Sequence, residues 1–131
     1  MAELLYLESS AVVKLVTPEP ESRDVEQLVA RWPSRVSSIL TQVEVARAAL
    51  RAPAPPGWEA RMKLVFSGMT FTGLSGAVVL QAGRLEPAAL RSLDAIHLAS
   101  ALSLGSDLAG IVTYDRRLAE AASRMGIPVF P

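Results

Sequence analysis

Leu4-Leu5-Tyr6-Leu7-Glu8-Ser9-Ser10-Ala11-Val12-Val13-Lys14-Leu15-Val16 is the stretch that decides the fold. Its first four residues form an apolar run of strand length, and Ser9 and Ser10 then supply hydroxyls suited to capping a helix that residues 11–16 continue. Pro18-Glu19-Pro20-Glu21 breaks that helix and opens another, whose Val25, Leu28 and Val29 make an apolar stripe ending near Trp32-Pro33. Arg35 to Ile39 reads as the next strand, and about Thr41 to Arg51 as the next helix. Pro53-Ala54-Pro55-Pro56-Gly57 stops that helix and joins it to another over Trp58 to Phe66.

The same alternation continues. Met69 to Leu74 is a weak third strand, and Ser75 to Leu85 a helix capped by Ser75. Leu90 to Leu104 is a helix apolar nearly all round and therefore buried, closing at Gly105, where a left-handed residue is wanted. Gly110 to Tyr114 reads as a strand and Arg116 to Arg124 as a helix ended by Gly126. Ile127 to Phe130 is a last edge strand, where Pro128 is tolerable. Strands alternating with helices imply right-handed crossovers and parallel pairing. The expected fold is an α/β three-layer α/β/α sandwich with a mostly parallel central sheet, one domain spanning residues 1–131.

Bulk properties agree with a compact globular chain. Half of the residues are apolar, mean hydropathy is +0.31 and 20% are charged, which excludes a disordered tail. There is no cysteine, so disulfides, thiolate zinc sites and cysteine nucleophiles are excluded. No stretch approaches the roughly 20 apolar residues of a membrane helix, and Met1 to Leu7 lacks the basic flank of a signal peptide. A cytoplasmic protein is expected. Basic and acidic residues number 13 each, so no global charge advertises a nucleic-acid partner. All but two of the basic residues are arginine, whose planar fork suits phosphate. With four acids gathered in one pocket, the remaining surface would be mildly basic.

Four acids stand out. In an open parallel sheet, ligands bind beyond the carboxyl ends of the strands. Glu8 directly follows the first strand, and Asp115 the strand ending Thr113-Tyr114, so neighbouring strands would bring both to one rim. Glu44 lies four residues after Leu40 on or beside the packed face of its helix. Asp94 is embedded in Leu93-Asp94-Ala95-Ile96-His97-Leu98-Ala99, otherwise fit for the core. An ionised carboxylate is costly to bury unless paired or bound to a cation, and converging carboxylates raise one another's pKa. A divalent ion resolves both costs. Oxygen donors, with no cysteine and a single histidine, point to Mg²⁺ or Mn²⁺ and away from zinc. Such an ion suits in-line hydrolysis of a phosphodiester.

Tyr6 to Leu15, Thr41-Gln42-Val43-Glu44-Val45-Ala46-Arg47, Leu90 to Ala99, and Val112-Thr113-Tyr114-Asp115 with Leu118 and Ala122 closely resemble the PIN-domain toxins of VapC type, in family order and over nearly the whole chain. The resemblance implies a Mg²⁺- or Mn²⁺-dependent endoribonuclease that cuts structured RNA such as tRNA or ribosomal RNA. It also implies a VapB-type antitoxin whose C-terminal segment wraps the toxin, a toxin homodimer and a toxin–antitoxin hetero-oligomer. Carried over by position, Glu8, Glu44, Asp94 and Asp115 match the acidic quartet, and Thr113 the supporting hydroxyl before the last acid. Glu8 departs from the family's aspartate. One added methylene moves a carboxylate by roughly an ångström, and metal sites tolerate only a few tenths, so activity rather than fold is at stake there.

Each signal also has a plainer reading. Glu8 and Asp115 could simply cap helices. Glu44 could pair with Arg47 or Arg51 at helical spacing. His97, three residues after Asp94, reads as a satisfied packing residue rather than a general base. Ser9 and Ser10 read as caps, with support of the carboxylates as the alternative for them and for Thr113. Arg116 and Arg117 are candidates for holding RNA phosphate near Asp115, or belong to an exposed helix start. Trp32, Trp58, Val25 and Leu28 line either a partner groove or the core. Two rival functions remain: a catalytically disabled PIN-like module that only binds antitoxin or RNA, and a receiver-type phosphoacceptor. The latter fits poorly, because the third strand offers no acid and no lysine follows Lys63.

Overall fold

A computed structural model describes residues 2–131 of the chain. The order of elements is β1 (Leu4–Leu7), α1 (Ser9–Val16), α2 (Ser22–Ala30), β2 (Arg35–Ser38), α3 (Leu40–Arg51), α4 (Trp58–Ser67), β3 (Thr70–Thr72), α5 (Gly76–Ala82), α6 (Ser92–Leu102), β4 (Leu108–Val112), α7 (Arg116–Arg124) and β5 (Val129–Phe130). A 3₁₀ turn over Gly105–Asp107 leads into β4. The five strands form one sheet ordered β3-β2-β1-β4-β5, and every pairing is parallel. None of the described helices is long and apolar enough to cross a membrane.

β1 lies at the centre, flanked by β2 and β4, which is why Leu5, Tyr6 and Leu7 are wholly buried. A central parallel strand is covered on both faces, so its sequence reads apolar without alternation. The side chains themselves still alternate. Leu5 and Leu7 pack with Val12, Leu15, Val25, Leu28 and Val45 on one face, whereas Tyr6 joins Leu98, Ile111, Leu118 and Ala122 on the other. One helical layer thus comes from the first half of the chain and the other from the second, which gives the expected three-layer sandwich.

The element boundaries differ from the sequence reading in three instructive places. β4 runs over Leu108–Val112, two residues earlier than Gly110 to Tyr114, because its last partner on β1 is Leu7, opposite Val112. Gly110 belongs inside the strand: a β-carbon there would lie 2.5 Å from the Phe130 ring and 2.8 Å from the Pro128 carbonyl oxygen. Absence of a side chain lets β5 close on β4. α5 ends at Ala82, ahead of Leu85, with Gly83 at its carboxyl end. α6 starts at Ser92, because Leu90 closes a turn onto the Pro87 carbonyl and Arg91 is extended (ψ 156°). Gly105 and Gly126 do adopt positive φ, +59° and +77°, where the chain leaves α6 and α7.

Candidate active site

Adjacent strands β1 and β4 deliver Glu8 and the Thr113-Tyr114-Asp115 segment to the same rim. The Glu8 backbone N–H donates to the Val112 carbonyl at 3.0 Å, extending the ladder one step past β1. Its side chain is 5% exposed and accepts hydroxyl hydrogen bonds from Thr113 Oγ1 (2.7 Å), Ser9 Oγ (2.7 Å) and Ser10 Oγ. Those hydroxyls also hold the opposite segment: Ser10 Oγ accepts the Tyr114 N–H at 2.8 Å, and Thr113 Oγ1 the Asp115 N–H at 3.1 Å.

Neither Ser9 nor Ser10 is therefore a cap, contrary to the sequence expectation. Glu8 occupies the N-cap position of α1 without a side-chain cap bond, and both hydroxyls turn toward its carboxylate, the stronger acceptor.

Asp115 resolves the choice between cap and ligand by doing both with different oxygens. Oδ1 accepts the N–H groups of Arg117 (2.9 Å) and Leu118 (3.2 Å), capping α7. Oδ2 is directed to the Arg91 guanidinium, 3.6 Å from Nη2.

Asp94 enters the rim from the first turn of α6 and is 8% exposed. Its Oδ2 is buried with no hydrogen-bond partner among the described residues, and the nearest cation is Arg91 Nε at 3.6 Å. Burial first, and then the charge of Asp115, raise the Asp94 carboxyl above its ordinary range; Arg91 and His97 oppose this and Glu8 adds to it. Asp94 therefore feels the charges of both Asp115 and Glu8 at one rim.

Glu44 is set apart. On α3, its Oε1 pairs with His97 Nε2 at 2.7 Å rather than with Arg47 or Arg51. A carboxylate only accepts, so Nε2 carries the proton and in the neutral ring Nδ1 accepts from the Tyr6 hydroxyl at 2.8 Å. Burial raises the pKa of Tyr6, which keeps that hydroxyl protonated. His97, 1% exposed, is thus satisfied at both nitrogens, as expected of a packing residue, yet it also fixes where Glu44 stands.

Among the described residues, no three acidic or histidine side chains converge closely enough to hold an ion as they stand. The donor set nevertheless suits a hard cation, with carboxylate oxygens only, one of them buried without a partner beside two further acids.

The sequence reading gave no role to Arg91, the cation between Asp94 and Asp115. Its position three residues before Asp94 at a helix entrance was the available signal. Arg116 and Arg117 are exposed. Arg117 lines a cleft of about 380 Å³ beside the rim, together with Pro87, Leu90, Glu120 and Arg124. The aromatic and apolar group proposed for a groove divides. Val25 and Leu28 are core, and Trp32 packs against Phe130 with centroids 6.2 Å apart. Trp58 lines a cavity of about 320 Å³ with Leu15, Pro55 and Arg61.

The PIN domain model matches residues 5–124. The chain belongs to the PIN-domain family. Within it, this PIN domain is of the VapC ribonuclease-toxin type. It is 41% identical over 127 residues to Ribonuclease VapC46 of Mycobacterium tuberculosis (strain ATCC 25618 / H37Rv), covering 95% of each chain. It is 39% identical over 133 residues to Ribonuclease VapC35 of the same strain, covering 96% of this chain and 95% of the relative. The fold matches the crystal structure of Mycobacterium tuberculosis VapC20, described as a sarcin–ricin loop cleaving toxin, with a TM-score of 0.73 at 14% identity over 89% of this chain and 94% of that one. It also matches a chain of a toxin–antitoxin complex from Klebsiella pneumoniae, with a TM-score of 0.72 at 22% identity over 97% of this chain and 96% of that one. A PIN domain leaves no place for the receiver-type alternative.

Proposed function

We propose that residues 1–131 act as one PIN-like domain, a Mg²⁺- or Mn²⁺-dependent endoribonuclease toxin that cuts structured RNA and is neutralised by a VapB-type antitoxin. The observation that carries this reading is Asp94, a buried carboxylate with an unpartnered oxygen, raised in pKa first by that burial and then by the charge of Asp115. Asp94 and Asp115 would hold the ion through their Oδ2 atoms, with Glu8 and Glu44 completing the acidic quartet. When bound, the ion supplies positive charge to the attacked phosphodiester and makes a water more acidic. The chain's own residues do the rest. Asp115 Oδ1 stays on the α7 amides, so its other oxygen is held in direction, and Thr113 fixes both Glu8 and the Asp115 backbone. Arg117 and Arg124 along the neighbouring cleft suit the RNA backbone. Arg116, at the start of the same helix, is a further candidate for phosphate.

The test is cleavage of a tRNA panel and a sarcin–ricin loop RNA by the purified chain with Mn²⁺ or Mg²⁺. Metal-dependent cutting, abolished by EDTA and in Asp94→Asn, is expected. Intact RNA across the panel with wild type and Glu8→Asp alike would rule the enzyme out. The partner reading rests on the VapC-type relatives and on the complex from Klebsiella pneumoniae. It predicts a stable complex with a co-expressed antitoxin, and a homodimer in sedimentation. The cytoplasm, where tRNA and ribosomes are, is the expected place of action.

One observation favours a second reading, a disabled module that only binds. Both Glu8 oxygens are already taken by hydroxyls, and its arm is one methylene longer than the family's aspartate. Glu8→Asp separates the two readings. A shorter arm withdraws the carboxylate from its three hydroxyls and restores the family's side chain, so the enzymatic reading expects faster cleavage, and the binding reading no cleavage by either protein.

A further inference from the structure

Arg91 has a long, largely exposed side chain, 69% accessible, yet its guanidinium lies 3.6 Å from Asp94 Oδ2 through Nε and 3.6 Å from Asp115 Oδ2 through Nη2. These two oxygens share a second property. Asp94 Oδ2 has no hydrogen-bond partner among the described residues, and on Asp115 the α7 amides occupy Oδ1 and leave Oδ2 to Arg91. The arginine therefore addresses the buried oxygen of Asp94 and the oxygen of Asp115 that the α7 amides leave free. A divalent ion held by the Asp94 and Asp115 carboxylates would draw on the charges the guanidinium already faces, so the two cations would compete for one site.

The arm also has somewhere to go. Arg91 is extended at the entrance to α6, it follows Leu90, and Leu90 lines the cleft that holds Arg117 and Arg124. Neither contact with the carboxylates is a hydrogen bond at 3.6 Å, so both are ion pairs of the kind that solvent weakens and that a stronger cation displaces. A guanidinium set free at the mouth of a phosphodiester site can pair with a phosphate through two parallel hydrogen bonds.

We propose that Arg91 is a displaceable internal cation, pairing with Asp94 and Asp115 in competition with the divalent ion and, once displaced, binding an RNA phosphate flanking the cut. The inference rests on the nuclease reading for its substrate, but its first half concerns ion binding alone. Linkage fixes the sign: whatever the ion must displace weakens its apparent affinity, and removing the competitor strengthens it.

The experiment is calorimetric titration of Mn²⁺ into wild type, Arg91→Ala and Arg91→Lys, followed by steady-state cleavage of a tRNA substrate at saturating Mn²⁺. Arg91→Ala should bind Mn²⁺ tighter by roughly threefold to tenfold, the scale of two ion pairs made by an exposed arginine. Arg91→Lys, which keeps the charge but not the fork, should fall between. Arg91→Ala should also raise KM more than it lowers kcat, and Arg91→Lys should restore part of KM. Unchanged or weaker Mn²⁺ binding in Arg91→Ala would overturn the competition, and an unchanged KM would overturn the phosphate contact. If wild type bound no Mn²⁺ at all, the metal-dependent reading of the whole site would fall first. Mn²⁺ binding equal in wild type and Arg91→Ala would instead overturn only the role given to Arg91.

Discussion

Asp115 carries two duties on two oxygens, and substitutions can separate them. Asparagine is as good an N-cap as aspartate, so Asp115→Asn should keep the stability of α7 while losing the charge needed at the rim. Asp115→Ala should lose both, at a cost of about 1 kcal/mol in urea unfolding. If both variants unfold at the same midpoint, the capping bonds contribute nothing. Asp94 behaves differently. Its carboxyl is pushed up by burial and then by Asp115, so the ionised group at neutral pH works against the folded state. Asp94→Asn should accordingly leave the metal-free thermal midpoint equal to wild type or higher while abolishing cleavage. A clear drop in midpoint would make Asp94 a structural residue.

The four acids were visible in the sequence because each sits where a charge is expensive or follows a strand. What their neighbours do was less visible. Ser9 and Ser10 looked like caps, because hydroxyls at a helix start usually serve amides. Here a buried carboxylate one or two residues away outcompetes them. Arg91 was hidden for a related reason, since an exposed arginine at a helix start is ordinary until the fold brings Asp115 beside it.

At the scale of elements, α1 is fastened to its surroundings through Lys14. That side chain is 9% exposed, pairs with Glu19 (2.8 Å) and Glu21 (3.1 Å) beyond the end of the helix, and lies 4.6 Å from the centre of the Tyr114 ring. Burial alone would lower its pKa, but the pairing with Glu19 and Glu21 wins and raises it above 10.5. A raised lysine stabilises the fold fully below its unfolded pKa and loses that contribution as pH climbs through the folded value. Lys14→Met should therefore cost about 1–2 kcal/mol at neutral pH, the glutamates being partly exposed. The gap to wild type should narrow in alkaline solution, above the ordinary lysine pKa. Thermal melts at pH 7 and at higher pH would show it, and a gap that stayed constant through the alkaline range would contradict the pairing.

Element boundaries show where the sequence stops being informative. The helices after Pro18-Glu19-Pro20 and before Pro53 to Gly57 were legible because proline and glycine act locally. The start of β4 was not, because Gly110 looks like a breaker until Phe130 fills the space of its missing side chain. Gly110→Ala should force β5 away and destabilise the protein by about 1–3 kcal/mol, read from the denaturant midpoint. A neutral outcome would mean that the edge strand yields freely.

Over the whole molecule, the two halves of the chain meet at β1. Glu8 and Glu44 come from the first 51 residues and Asp94 and Asp115 from the last 40, so only the complete sheet carries Glu8, Asp94 and Asp115 to one rim, with Glu44 held on His97. An ion that binds the folded chain and not the unfolded one must stabilise the fold globally. At a Mn²⁺ concentration about a hundredfold above its dissociation constant, the gain is about 2.7 kcal/mol, a rise of several degrees in the thermal midpoint that EDTA should reverse. No rise at any Mn²⁺ concentration would argue against a quartet that holds metal.

β1 is made first but gains its partner β4 a hundred residues later. A nascent chain emerging from the ribosome therefore carries Leu4–Leu7 with one side unpaired, and without Asp115, until β4 has been made. A chain so arranged cannot bring Glu8 and Asp115 to one rim until β4 has been made, and until then one edge of its first strand lies open.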